Sequence, residues 1–128
     1  MRIQKNSDRQ HRQLTSQKSG EEYSLSSVLS EQLCTNEIFI SHEIIRPTSR
    51  SSAPHFHAET EEVIYLLKGN LIAVEGSVET ELTEGDVISF EVNSGLAHFL
   101  KNISDEEARV LVIRRNVEKS DVVFPIRP

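Results

Sequence analysis

Cys34 is the only cysteine in the chain, so no internal disulfide can form and a thiolate zinc site is excluded. It reads as a small buried apolar residue. No apolar run approaches the roughly 18 residues that a membrane span requires, so no span is implied. The N-terminus lacks the apolar segment of a secretory signal, and a cytoplasmic protein is the expectation. There is no long amphipathic helix and no tandem repeat of solenoid or propeller period. Cationic surplus is missing too. The net charge is −6, which argues against nucleic acid as a partner, because phosphate contacts need a basic face.

That charge is unevenly spread. Residues 1–20 carry five basic side chains against Asp8 alone, while the remainder carries nine basic and nineteen acidic ones. The basic stretch has only Met1, Ile3 and Leu14 as large aliphatic residues. Residues 1–22 therefore read as a polar extension and 23–128 as one domain, which the total length of 128 also suggests.

What the chain does have is a series of short β-prone segments. Residues 23–33 are semi-apolar and serine-rich, and their period does not choose between helix and strand. Residues 36–45 (NEIFISHEII) are dense in β-branched and aromatic side chains. Alternation puts Ile38, Ile40, His42 and Ile44 on one face and Phe39, Ser41, Glu43 and Ile45 on the other. Further strands are expected over 62–67, 71–74, 78–82, 87–90, 97–101, 109–113 and 122–124, separated by turn residues at roughly ten-residue spacing. This pattern defines an all-β sandwich or barrel.

The chemistry concentrates in His55-Phe56-His57. Side chains at i and i+2 of a strand share a face, so the two histidines project together. Glu62 has the opposite parity, and joins them only if Ala58-Glu59-Thr60-Glu61 breaks the strand and resets the alternation. His98, in a later strand, is a fourth candidate that antiparallel packing can bring alongside. Three imidazoles and a carboxylate suit a divalent first-row ion: zinc, iron, manganese, nickel or copper.

With these residues the sequence resembles the cupin superfamily. Its first motif, H-x-H, three or four residues, E, six residues, G, is matched by His55, His57, Glu62 and Gly69. Its second, G, five residues, P-x-G, two residues, H, three residues, N, is matched by Gly85, Gly95, His98 and Asn102. The spacing to Gly69 favours Glu62 over Glu61. Three positions depart from the pattern. Ser49 replaces a glycine, Asn93 stands where the proline would be, and the run from Gly85 to His98 is two residues longer. The longer turn, and the segment Asp121 to Ile126, look like a group of small single-domain cupins.

The resemblance implies a double-stranded β-helix of jelly-roll type, with an ion held by His55, His57, Glu62 and His98. Four protein ligands leave an octahedral ion two open positions, as catalysis requires. A metal-dependent enzyme acting on a small polar molecule follows, of dioxygenase, isomerase or decarboxylase type. The alternative is a module that binds a metal and a small ligand without turnover. A metal-free sugar-binding or epimerase-like cupin is disfavoured by retention of all four ligands. A homodimer formed through exposed strand edges is expected.

The other residues have plainer readings. Glu59 and Glu61 are solvated, His42 is packed or at the rim, and His11 is inert. Phe90, Phe99 and Leu100 fill the core. Arg109, Arg114 and Arg115 lie at the surface or pair with carboxylates. Asp86 forms a turn.

Overall fold

A computed structural model describes residues 1–125. Ile126 of the C-terminal resemblance lies outside the described residues. After a 3-10 turn at Asn6–Asp8, eleven strands and one short α-helix follow in order among the described residues: β1 (Arg12–Thr15), β2 (Glu22–Val28), α1 (Leu29–Leu33), β3 (Ile38–Ile45), β4 (Phe56–His57), β5 (Glu62–Lys68), β6 (Leu71–Glu75), β7 (Val78–Leu82), β8 (Val87–Phe90), β9 (His98–Lys101), β10 (Ala108–Arg115) and β11 (Val122–Val123). The all-β expectation holds, and the expected strands appear with ends shifted by a residue or two. Residues 23–33 resolve as a strand followed by a helical turn. The basic N-terminal stretch is laid onto the sheet, where β1 pairs antiparallel with β2.

The strands form a six-stranded sheet in the order β1-β2-β3-β10-β5-β8, a three-stranded sheet β7-β6-β9, and the pair β11-β4. This is the expected jelly-roll arrangement. The hydrogen-bonded ladders do not join into a closed barrel. The segment between β3 and β4 forms no continuous ladder with β9. It meets β9 at isolated bridges, Arg50 to Lys101 and His55 to His98, and through Ser51, whose Oγ accepts from the Leu100 N–H at 2.9 Å. It contains Pro47 and Pro54, which have no N–H to give to a ladder.

The core lies between the two larger sheets. Ile45, Leu66, Leu71, Leu100 and Val110 are essentially inaccessible, with Phe90 beside them. Replacing one such leucine by alanine typically costs about 2–5 kcal/mol. The turn from β5 to β6 needs Gly69. Its φ is +88°, and a Cβ there would stand 2.9 Å from the Glu107 carbonyl oxygen.

The two faces of β3 have different surroundings. Phe39, Ser41, Glu43 and Ile45 face inward, because Ile45 joins the core and Glu43 lines the internal cavity. The isoleucine-rich face carrying His42 is the outer one. Cys34 also departs from expectation. It is exposed, in a left-handed conformation (φ 55°) at the end of α1, where its N–H donates to the Glu31 carbonyl. Ending the helix there turns the residue outward rather than into the core.

Candidate metal centre

The chain breaks where the histidine and glutamate parity requires. β4 ends at His57, residues 58–61 bend, and β5 begins at Glu62, so the alternation restarts with Glu62 inward. β9 brings His98 against His55 by a mutual backbone bridge, with N–H···O distances of 3.3 and 2.8 Å. One donor atom each from His55, His57, Glu62 and His98 lies within 4.8 Å of all the others. The four residues picked out by spacing are thus brought together. His57, Glu62 and His98 are buried, and His55 is partly open.

Two of the three imidazoles are held from behind, while His98 meets Glu62 Oε1 through its Nε2 at 3.2 Å. His57 Nδ1 lies 2.8 Å from Asp121 Oδ1, and His55 Nδ1 lies 2.9 Å from the Ala53 carbonyl oxygen. These contacts place the ring protons on Nδ1 and leave Nε2 as a lone pair facing the cluster. The His98 ring stacks on Phe90, with centroids 3.8 Å apart and planes 3° from parallel. His57 Nε2 is 3.0 Å from Glu62 Oε2, but the approach lacks hydrogen-bond geometry. It is a buried imidazole nitrogen without a partner, and so is His98 Nδ1. Such atoms are uncommon in folded proteins. An electron-pair donor aimed at a carboxylate fits a cation between them, so the residues present suit a divalent metal.

The charges agree. Burial pushes the Glu62 carboxyl up, but His57 and His98 outweigh it and hold it well below the ordinary carboxylate range. Burial pulls the His57 ring down, yet Glu62 and Asp121 together raise it above its usual value. Burial dominates at His55 and lowers it. Asp121 is favoured as a carboxylate. Burial raises it, while donation from His57, the Thr60 hydroxyl (2.8 Å) and the Glu59 N–H (3.1 Å) brings it down to about 2. Arg114 Nη1 reaches the Glu62 carboxylate, 3.5 Å from Oε2, with its guanidinium 3.7 Å over the Phe39 ring.

The cluster opens into a cavity of about 670 Å³. Most of its wall is apolar, with Leu14, Ile64, Leu100, Val110, Val112 and Phe124 among the lining residues. Several plainer readings hold. Phe90 and Leu100 are core residues, Glu59 and Glu61 are exposed, Arg109 pairs with Glu107 at 2.8 Å, and Asp86 caps its own turn through the Thr83 N–H. Phe99 is half-buried and also lines the cavity. Asn102 has a structural task, donating to the Ile45 and Glu106 carbonyls.

Asp121 is the site residue that sequence reasoning missed. It lies 64 positions from His57, and only its place in a C-terminal run pointed to it.

The family model for the cupin domain matches residues 41–114, more than half of the chain, and the protein belongs to this family. A 63-residue stretch is 38% identical to the probable germin-like protein subfamily 2 member 5 of Arabidopsis thaliana, covering 45% of this chain and only 29% of that relative. Two solved structures share the fold. A putative sugar phosphate isomerase from Acidithiobacillus ferrooxidans superposes with a TM-score of 0.78 at 20% identity, over 91% of this chain and 76% of that one. A polyketide cyclase from Streptomyces resistomycificus superposes with a TM-score of 0.78 at 18% identity, over 98% and 87%.

Proposed function

We propose that the cavity is the active site of a metal-dependent enzyme, with His55, His57, Glu62 and His98 holding a divalent transition ion such as zinc, iron, manganese or nickel. The observation that carries this reading is His57 Nε2, a buried donor with no partner, locked in place by Asp121 and facing the Glu62 carboxylate. When bound, the ion supplies a Lewis acid that polarises a ligand oxygen or acidifies a coordinated water.

The chain's own residues do the rest. Asp121 keeps the His57 ring in its donating tautomer, which strengthens it as a ligand. The apolar wall excludes water and receives a hydrocarbon body, while Arg114 offers a positive charge beside the cluster. The wall thus shifts the substrate from a uniformly polar molecule to one with an oxygenated end and an apolar remainder. A volume of about 670 Å³ is within the range of small-molecule sites. Isomerase, decarboxylase and dioxygenase chemistry all fit such a site.

Elemental analysis after chelation and reloading tests the reading. About one equivalent of metal per chain is expected, with a rise in melting temperature; less than about a tenth of an equivalent and no stabilisation refutes it. If the loaded protein turns over nothing in a broad panel of oxygenated small molecules, the non-catalytic binding module is the better account.

A further inference from the structure

Among the described residues, the cavity wall carries two acidic side chains, Glu62 in the cluster and Glu43 outside it. Glu43 stands on the inward face of β3, opposite Ser26 of β2 and Val110 of β10. Ser24 Oγ donates to its Oε1 at 2.5 Å and Ser41 Oγ to its Oε2 at 2.8 Å. Both serines are fully buried, which fixes the carboxyl rigidly. No basic side chain among the described residues lies within ion-pair distance of it.

A carboxylate facing apolar walls with only neutral donors is poorly stabilised and tends to keep its proton. Burial raises Glu43 first of all, the two serine hydroxyls oppose this, Glu62 adds to it and Arg114 subtracts, leaving the carboxyl above its ordinary range. A divalent cation in the cluster would reverse the sign of the Glu62 contribution, so that burial, the largest effect, is what keeps the proton on Glu43. A group needed only to tie two serines together does not have to be an acid, since a glutamine amide does the same.

We propose that Glu43 is the acid–base residue of the cavity, exchanging protons with a hydroxycarbonyl compound whose hydroxyl oxygen sits at the His/Glu cluster. The idea rests on the metal-dependent reading above. In the step, the Glu43 O–H bond breaks and its proton bonds to the ligand's carbonyl oxygen. The carboxylate left behind, held by Ser24 and Ser41, takes the proton from the carbon next to that carbonyl. The electron pair of the broken C–H bond forms the new C=C bond, and the carbonyl π pair settles on oxygen. Ketone becomes enediol, Glu43 is a carboxylic acid again, and no oxidant or reductant is consumed. Glu43 then gives its proton to the neighbouring carbon, the former carbonyl carbon, while the proton of the other enediol hydroxyl passes back to the Glu43 carboxylate. The C=C pair forms the new C–H bond, the O–H pair forms the new C=O, and the isomerisation is complete with Glu43 again an acid.

Two measurements on the full chain test this, comparing wild type with Glu43→Gln. Infrared difference spectra of metal-free and zinc-loaded protein at neutral pH should contain a carboxylic-acid C=O band that Glu43→Gln lacks. If Glu43 is a carboxylate in both forms, the proposal is wrong. In D2O with zinc-loaded protein, 2-hydroxyacetophenone should gain deuterium at the carbon beside its carbonyl, and Glu43→Gln should slow this by about 100-fold or more. Equal rates, including no exchange by either protein, overturn the proposal. Zinc content and melting temperature of Glu43→Gln should match wild type, which separates loss of a proton donor from misfolding. Failure of the wild-type protein to bind zinc would sink the metal reading instead, and the metal-free infrared band still judges Glu43 alone.

Discussion

His11 and His42 meet on the outer side of the large sheet, Nε2 to Nδ1 at 2.8 Å. His55, His57 and His98 meet on the inner side, with ring centroids 4.7 to 6.0 Å apart. Both groups are close, and both include a buried ring. Their neighbours differ. The outer pair feels Arg9 and Arg109, so burial first and these cations second hold both rings neutral, His42 at about 4. The two rings also satisfy each other. The inner rings face Glu62, are backed by Asp121 and the Ala53 carbonyl, and leave nitrogens without partners. Proximity of histidines therefore does not make a metal site. Anionic neighbours and unsatisfied lone pairs are what make the inner cluster one that could hold a metal.

The largest expected effect that separates the two groups is on metal affinity. His57→Ala should lower zinc affinity ~100-fold or more, while His42→Ala leaves the zinc stoichiometry unchanged, as titration calorimetry would show. Equal losses would erase the distinction. Asp121→Asn should come next, weakening zinc binding about 10- to 100-fold through the tautomer of His57 with the four donors intact. Glu59→Ala serves as its control and should change nothing, since the Asp121 contact comes from the Glu59 backbone.

Stability against pH should distinguish the groups by sign. The His42 pKa is depressed from 6.5 to about 4, so the unfolded chain takes up that proton first. Its contribution is full above the unfolded value and falls with pH, with a slope of at most about 1.4 kcal/mol per pH unit. Denaturant unfolding of His42→Leu should flatten this fall. His57 is raised in the metal-free protein, so its contribution is present at low pH and lost as pH rises through the folded value. His57→Ala should remove a slope of the opposite sign. The smallest effect belongs to the exposed Arg46–Glu22 pair at 2.7 Å, where Arg46→Ala should cost at most about 1 kcal/mol, by the same unfolding measurement.

The inner cluster was legible in the sequence because its geometry is local. His55 and His57 share a face through strand alternation, and the polar break before Glu62 resets the parity within a few residues. His98 was legible only through the spacing of a second motif. The outer pair was not legible. His11 belongs to a stretch with almost no apolar signal, and it meets His42 because β1 joins the sheet beside β2, which in turn pairs with β3. Cys34 was misread because its type favours burial, whereas its position at a helix end decides exposure.

The linear pattern alone determined the all-β class, most strand positions and the grouping of His55, His57 and Glu62, since these depend on alternation and short spacing, with His98 added by the spacing of the second motif. Tertiary structure decided which face of β3 looks inward, and so placed Glu43 on the cavity wall between Ser24 and Ser41. It also set Asp121 behind His57 and left the ladders short of a closed barrel. These outcomes depend on contacts between residues far apart in the chain. Apolar residues occupy both faces of β3, so its sequence fits either orientation, and only packing against β2 and β10 selects one.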